Sequence, residues 1–415
     1  MVKTAMEAIY RCCAGLDVHS KTITVCVRRM DAKGTICQEI RTFGTMTHDL
    51  LALNDWLTAE GVSHVAMEST GVFWKPVYNI LEGQFQILLV NARHIKNVPG
   101  RKTDVKDCEW IAQLLQCGLL RGSFIPPRPQ RDLRDLTRMR IQLTHEMGSV
   151  ANRIHKVLED ANIKLGLVAT DVLGVSGRKM ISALIEGETD AARVADLACR
   201  RMREKIPQLQ LALQGKVTEH HRFLLKQLMN HVLYLESQIA QFDERIKAAS
   251  VPFEEAITRL MGIPGFDRVS ATCVIAEIGA DMKQFPTAGH LCSWAKICSG
   301  NNESAGKRKS GATGNGNHWL VSTLVQVSWA ASHKKGSYFG AQYRRLAGRR
   351  GKKKALIALA HSILTVAYHV LKTTKPFCDL GADYFERLHR DRIRRYHVKR
   401  LEHLGYKVKL TEEAA

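Results

Sequence analysis

The order of strand and helix patterns in the first 115 residues limits what this chain can fold into more than any other feature. Residues 16–19, 22–27 and 36–43 read as three strands, by their Val, Ile and Thr content, with the turn Asp31-Ala32-Lys33-Gly34 before the third. Thr47 caps a helix through Leu57, whose apolar side carries Leu50, Leu51, Leu53 and Leu57. A short apolar run at 64–67, ending at Glu68, is a buried strand. Residues 72–81 read as a helix kinked at Pro76, 86–90 as another buried strand, and 104–115 as a helix with Thr103 as N-cap. Three strands, helix, strand, helix, strand, helix make an α/β sheet with a leading antiparallel meander.

Four carboxylates occupy telling places in that order. Asp17 is on the first strand and Glu68 ends the fourth. Asp104 and Asp107 are three apart on the closing helix, so they share a face. The order resembles the ribonuclease-H-like fold, specifically its RuvC-type nucleases, and the carboxylates fall where that fold needs them. Brought together, four such groups repel one another unless a cation neutralises them. Hard oxygen ligands select Mg²⁺ or Mn²⁺ over zinc, and two such ions activate a nucleophile and stabilise the leaving oxygen of a phosphodiester. Each acid also has a plainer role. Asp104 suits a helix dipole, Asp107 suits Lys106 or Arg101, and Asp17 and Glu68 suit strand ends. All four together favour the metal site.

The charge balance points the same way. Lys and Arg number 61 against 40 Asp and Glu, a net charge of +21, which suits a polyanion, nucleic acid before an acidic membrane. A basic binding protein without chemistry of its own fits that balance too. The 11 cysteines are odd in number and include no C-x-x-C pair, which fits a reducing cytoplasm and argues against disulfides or a zinc ribbon. Residues 1–11 carry no apolar signal-like run. The apolar segment 355–371 includes His361, Ser362, Thr365 and His369, so it reads as a buried helix and no membrane span is expected.

Pro126, Pro127 and Pro129 mark a boundary. Beyond it, Leu133, Leu136, Arg140, Leu143, Met147, Val150, Ile154 and Val157 recur at spacings of three and four, with Arg140 the polar exception, as do Leu225, Leu228, Val232, Leu235, Ile239, Phe242 and Ile246. These seams suit coiled-coil packing between helices or between protomers, or an ordinary antiparallel helix pair within one chain. Residues 166–216 read as shorter helices. The turn Ile263-Pro264-Gly265 resembles a helix-hairpin-helix, but Asp267 stands where that motif commonly has a second glycine. An acid there opposes a phosphate, so the turn reads as structural. A helix over 318–331 carries Trp319 and Trp329 as core residues. The domain reading is 1–125 for the acidic α/β domain, 126–255 for a helical, coiled-coil region, 256–377 for a mainly helical domain and 378–415 for a basic tail that orders on binding.

The stretch 299–311 is polar, basic and glycine-rich. Ser304 is a candidate nucleophile beside Glu303, and Lys307, Arg308 and Lys309 suit phosphates. Ser310 is its local competitor, and a solvated basic loop is the plainer reading. Arg344, Arg345, Arg349, Arg350, Lys352, Lys353 and Lys354 form a second cationic run that fits a nucleic-acid backbone.

Gly15-Leu16-Asp17-Val18-His19, Met67-Glu68-Ser69-Thr70-Gly71, Lys102-Thr103-Asp104-Val105-Lys106-Asp107, Ile263-Pro264-Gly265 and the segment 302–311 occur together. In that combination the chain resembles the DEDD insertion-sequence transposases related to the pilin-gene invertases. This is the insertion-sequence "one-ten" family, and the helix at 318–331 and the length of the middle region look more like its "eleven-eleven" subgroup. The resemblance implies that Asp17, Glu68, Asp104 and Asp107 hold Mg²⁺. It implies that Ser304 attacks a DNA phosphodiester to form a transient phosphoserine link. It further implies donor and target DNA as substrates, a structured noncoding guide RNA from the element, and a homo-oligomer, a tetramer, in which one protomer's acidic site meets another's serine loop. Two other classes fit the residues: a junction nuclease using water with the same tetrad, and a non-catalytic nucleic-acid-binding protein.

Overall fold

The computed structural model describes residues 9–69, 71–91, 95, 107–298, 303–304, 306–308, 313–314, 316–388 and 390–410. The chain forms two compact units, Met1–Ile125 and Pro126–Ala415. Thr103, Asp104, Lys309 and Ser310 lie outside the described residues.

The first unit runs β1 (Cys12–Val18), β2 (Thr22–Met30), β3 (Ile36–Gly44), α1 (Thr47–Ala59), β4 (His64–Glu68), α2 (Trp74–Leu81), β5 (Gln86–Val90) and α3 (Asp107–Gln116). Sheet order is β3-β2-β1-β4-β5. The first three strands pair antiparallel, while β1–β4 and β4–β5 pair parallel. The most apolar strands, β1 and β4, are central because helices cover both of their faces. Leu16, Val25 and Met67 pack on one face with Leu53 and Leu57 of α1 and Leu81 of α2. Cys13, Ala66 and Val90 pack on the other with Trp110, Ile111 and Leu115 of α3.

Two local readings change. Thr47 is the first residue of α1 rather than its cap, and the carboxylate of Asp49 accepts the Met46 backbone N–H at 3.3 Å. Pro76 is the third residue of α2, within the first turn, where backbone N–H groups have no intrahelical partner. The proline therefore opens the helix instead of kinking it.

The second unit opens with α4 (Arg128–Asp160), followed by α5 (Leu165–Val168), α6 (Val175–Glu186), α7 (Ala191–Asp196), α8 (Ile206–Ala212) and α9 (Glu219–Ala249). Helices α4 and α9 lie antiparallel within one chain: Asp160 meets His221 at 2.9 Å, Glu146 meets His231 at 3.4 Å, and Arg140 pairs with Asp243. Their heptad-like positions Val150, Ile154, Leu225 and Val232 are buried with Met180 and Leu184 of α6. Within the chain the two helices thus form an antiparallel pair.

A second core joins α10 (Glu254–Met261), α11 (Arg268–Ile278), α12 (Ala288–Trp294), α13 (His318–His333), α14 (Tyr338–Arg350) and α15 (Lys352–Thr373). The strands β6 (Glu303–Ser304) and β7 (Lys307–Arg308) fall between α12 and α13. Among the described residues α15 is the one helix long and apolar enough to cross a membrane. Its Leu359, Ile363, Leu364 and Ala367 are fully buried among the other helices of this core, in agreement with the buried-helix reading of 355–371. Trp329 on α13 is 50% exposed, with the His333 ring edge-on at 4.6 Å, so it is not a core residue. The tail contains α16 (Tyr384–Leu388) and α17 (Arg390–His403), and Phe385 of α16 stacks on Tyr338 at 5.1 Å. The tail is thus already helical in the chain by itself.

Candidate functional site

Gly15 sets the acidic end of the first unit. A Cβ on it would lie 2.3 Å from the Ala112 backbone N and 2.4 Å from the Cys108 carbonyl, so α3 rests on β1 where only a glycine fits. The helix runs opposite to the strand. At the start of the strand, Ile9 N–H donates to the Gln116 carbonyl at 2.8 Å, and the Cys13 thiol reaches Ala112 O at 3.7 Å. Asp17, at the other end of the strand, therefore lies toward the helix start, where Asp107 is the first described residue.

Strand alternation puts Cys13, Gly15 and Asp17 on the α3 face. Gly15 pairs with Ala66 and Leu16 with Met67, so Glu68 follows one position on, beside Asp17 and on the same face as Ala66. Asp17 and Glu68 thus share one end of one sheet face, and α3 begins toward that end with the exposed Asp107. Among the described residues, no group of three or more potential ligands is close enough to hold a metal ion. Asp104 lies outside the described residues. The donor set itself, all carboxylate, fits a hard divalent cation. Asp17 remains open to solvent at 27% side-chain exposure, and His19 Nε2 sits 3.2 Å from its Oδ2. The motif contained His19, but its approach to Asp17 depends on the chain turning at the strand end.

Ser304 lies in the second unit. What read as a loop is, in its described part, a two-stranded hairpin with Ser304 paired to Lys307 and Glu303 to Arg308. Gly306 supplies the left-handed φ of 73° at its turn, and Lys307 is exposed.

The second cationic run is split by a helix break. Gly351, at φ 83°, ends α14 and starts α15, which begins at Lys352, three residues before the predicted start at Ala355. Arg344, Arg345, Arg349, Arg350, Lys352, Lys353 and Lys354 are all exposed, and none forms an ion pair with a described acidic residue. Lys352, Lys353 and Lys354 occupy a first helical turn, where the macrodipole disfavours cations. A phosphate beside them relieves that repulsion. Arg345 lies over the Phe385 ring at 5.0 Å.

The Ile263-Pro264-Gly265 turn faces inward. A Cβ on Gly265 would meet the Val327 carbonyl at 2.3 Å. Asp267 caps α11, accepting the Ser270 N–H at 2.8 Å. Burial raises its pKa, but hydrogen bonds from the Ser270 hydroxyl and backbone outweigh that and hold it below the usual range.

Two family models match this chain. Residues 14–163, which include the four acids, match the IS110 DEDD transposase model, described as a transposase. Residues 257–344, which include the serine hairpin, match the model described as transposase, IS116/IS110/IS902 family. Together they cover more than half of the chain. No curated protein sequence matches it. By class this is a transposase, a DNA-processing enzyme. The chain belongs to the IS110 family of DEDD transposases.

Proposed function

We propose that this transposase inserts and excises a mobile element by attack of Ser304 on DNA phosphodiesters, in a site built from Asp17, Glu68, Asp104 and Asp107. The Gly15 seat carries the reading, because it brings the start of α3 over the strand ends that bear Asp17 and Glu68. Mg²⁺ or Mn²⁺ held by these carboxylates would supply the positive charge that lowers the cost of deprotonating a serine hydroxyl. The Ser304 Oγ–P bond forms as a P–O bond to deoxyribose breaks, and the serine proton ends on the leaving oxygen. Lys307, Arg308, Lys309 and the cations from Arg344 to Lys354 hold phosphates on either side.

In this reading residues 1–125 are a RuvC-like acidic domain, 126–255 a helical coiled-coil region, 256–377 the serine-bearing domain and 378–415 a basic tail. Likeness to the family supports a structured noncoding RNA as guide to donor and target DNA, and assembly as a homo-oligomer. One observation favours a second reading. The acids and Ser304 lie in different compact units, and water attack needs the acidic unit alone. In that case the protein is a junction nuclease without a covalent intermediate.

Strand exchange on DNA carrying the element's ends decides between them. Ser304→Ala abolishes exchange in the serine mechanism, while Asp107→Asn folds, binds nucleic acid and does not cleave. Exchange at the wild-type rate in Ser304→Ala would overturn the nucleophile assignment and bring Ser310 forward.

A further inference from the structure

Glu277 on α11 is 2% exposed, yet it carries a full set of charged partners. Arg138 of α4 grips it with two parallel hydrogen bonds, Nε to Oε1 at 2.7 Å and Nη2 to Oε2 at 2.8 Å. Arg134 donates Nε to the Ala276 carbonyl at 3.0 Å and Nη2 to the Glu277 carbonyl at 2.7 Å, with Nε 3.4 Å from Oε2. The last donor comes from elsewhere: Asn317 Nδ2 reaches Oε2 at 2.5 Å.

A buried anion near a helix C-terminus is opposed by the dipole and by desolvation. An apolar residue of similar size often serves stability as well, so the cluster calls for a role beyond stability. Most of its partners belong to helices already packed together through Leu133, Ile246 and Ala276. Asn317 differs. Its Oδ1 caps α13 by accepting the Leu320 N–H at 3.2 Å, and it is the residue at which the chain leaves the serine hairpin segment.

The two roots of that segment also meet. A Cβ on Gly316 would lie 2.4 Å from the Ala295 carbonyl, and Lys296 adopts a left-handed φ of 55° at the other root. Ala295 and Ile297 are buried in the core. The hairpin therefore springs from a closed base, and Glu277 ties the exit side of that base to α11 and α4.

We propose that Glu277 is a positioning residue that, through Asn317, fixes the base from which the Ser304 hairpin projects. The proposal rests on Ser304 being the nucleophile. Two variants break the link while keeping the α13 cap. Asn317→Asp turns a donor into a carboxylate facing Glu277, and Asn317→Ser is too short to reach it. The substrate is an end-labelled duplex carrying the element's own ends, with Mg²⁺ and the element's flanking RNA.

Asn317→Ser is expected to melt close to the wild-type temperature and Asn317→Asp somewhat below it, since it sets one carboxylate against another in a buried site, and both to bind the duplex with unchanged affinity. Ser304 adducts should form about 100-fold more slowly, the loss that a displacement near 1 Å typically causes. Amide exchange should quicken in peptides spanning the hairpin. Wild-type adduct rates and exchange in Asn317→Asp and Asn317→Ser overturn the positioning role and leave the serine reading intact. An equal fall in DNA affinity and rate overturns it as well. The absence of any adduct in the wild-type protein removes the serine reading on which the proposal stands.

Discussion

Replacing Gly15 by alanine tests how the acidic end is assembled. The added Cβ would sit 2.3 Å from the Ala112 N and 2.4 Å from the Cys108 O, both backbone atoms of α3. Ordinary contact begins near 3.4 Å, so α3 must retreat by about 1 Å, since no side-chain rotation relieves a clash with backbone. Overpacking of this kind costs about 1–3 kcal/mol, read as a lower urea midpoint. The retreat carries Asp107 with it, and a displacement of that size in a catalytic constellation costs about 100-fold in rate. Gly34→Ala is the matching control. Gly34 has a φ of +82° in an exposed turn with open space around it, so alanine there is strained and loses about 1 kcal/mol but leaves DNA cleavage unchanged. The measurements are urea unfolding and Mg²⁺-dependent cleavage of element-end DNA for both variants. Wild-type stability and cleavage in Gly15→Ala, or equal loss of cleavage in Gly34→Ala, refutes the reasoning.

The other predictions concern titration and thiol chemistry. The Asp267 pKa in the folded chain lies below its unfolded value, so the stability it lends is complete above the unfolded carboxylate range and is lost as pH falls through the folded value. An asparagine at this position would keep the cap without titrating, so Asp267→Asn should lose less stability than the wild type below about pH 4; parallel curves in acid-side urea titrations contradict this. Burial pushes the Cys13 and Cys26 thiols up to about 12 and Cys273 to about 11. Iodoacetamide at pH 8 should therefore label exposed Cys37 and Cys378 in the native protein and spare those three; peptide mapping checks this, and native labelling of Cys13, Cys26 or Cys273 would contradict it.

Much of the first unit was legible because its signals are local. β-branched runs marked the strands, and the carboxylates stood at their ends. The boundary at α2 was less so, since a proline in a first turn and one in a helix interior look alike until the N-terminus is known. The seat at Gly15 was invisible, because its meaning depends on a helix more than ninety positions later. Glu277 was hidden in the same way: its arginines lie about 140 positions upstream and Asn317 forty downstream. Periodicity marked α4 and α9, but the ion pairs Asp160–His221 and Arg140–Asp243 were needed to make them an antiparallel pair of one chain. Trp329 shows the limit of residue-type averages, since half of it faces water in an otherwise apolar helix. The cations read as preceding a helix in fact enter its first turn, against the dipole, an arrangement that suits a phosphate partner.

The most direct measurement is mass spectrometry of denatured protein after incubation with nicked, labelled junction DNA, the element's flanking RNA and Mg²⁺. A nucleotide covalently attached at Ser304, lost in Ser304→Ala and in Asp107→Asn, is the predicted result. Cleaved DNA with no protein adduct would contradict the serine mechanism and leave the acidic end acting as a nuclease on its own.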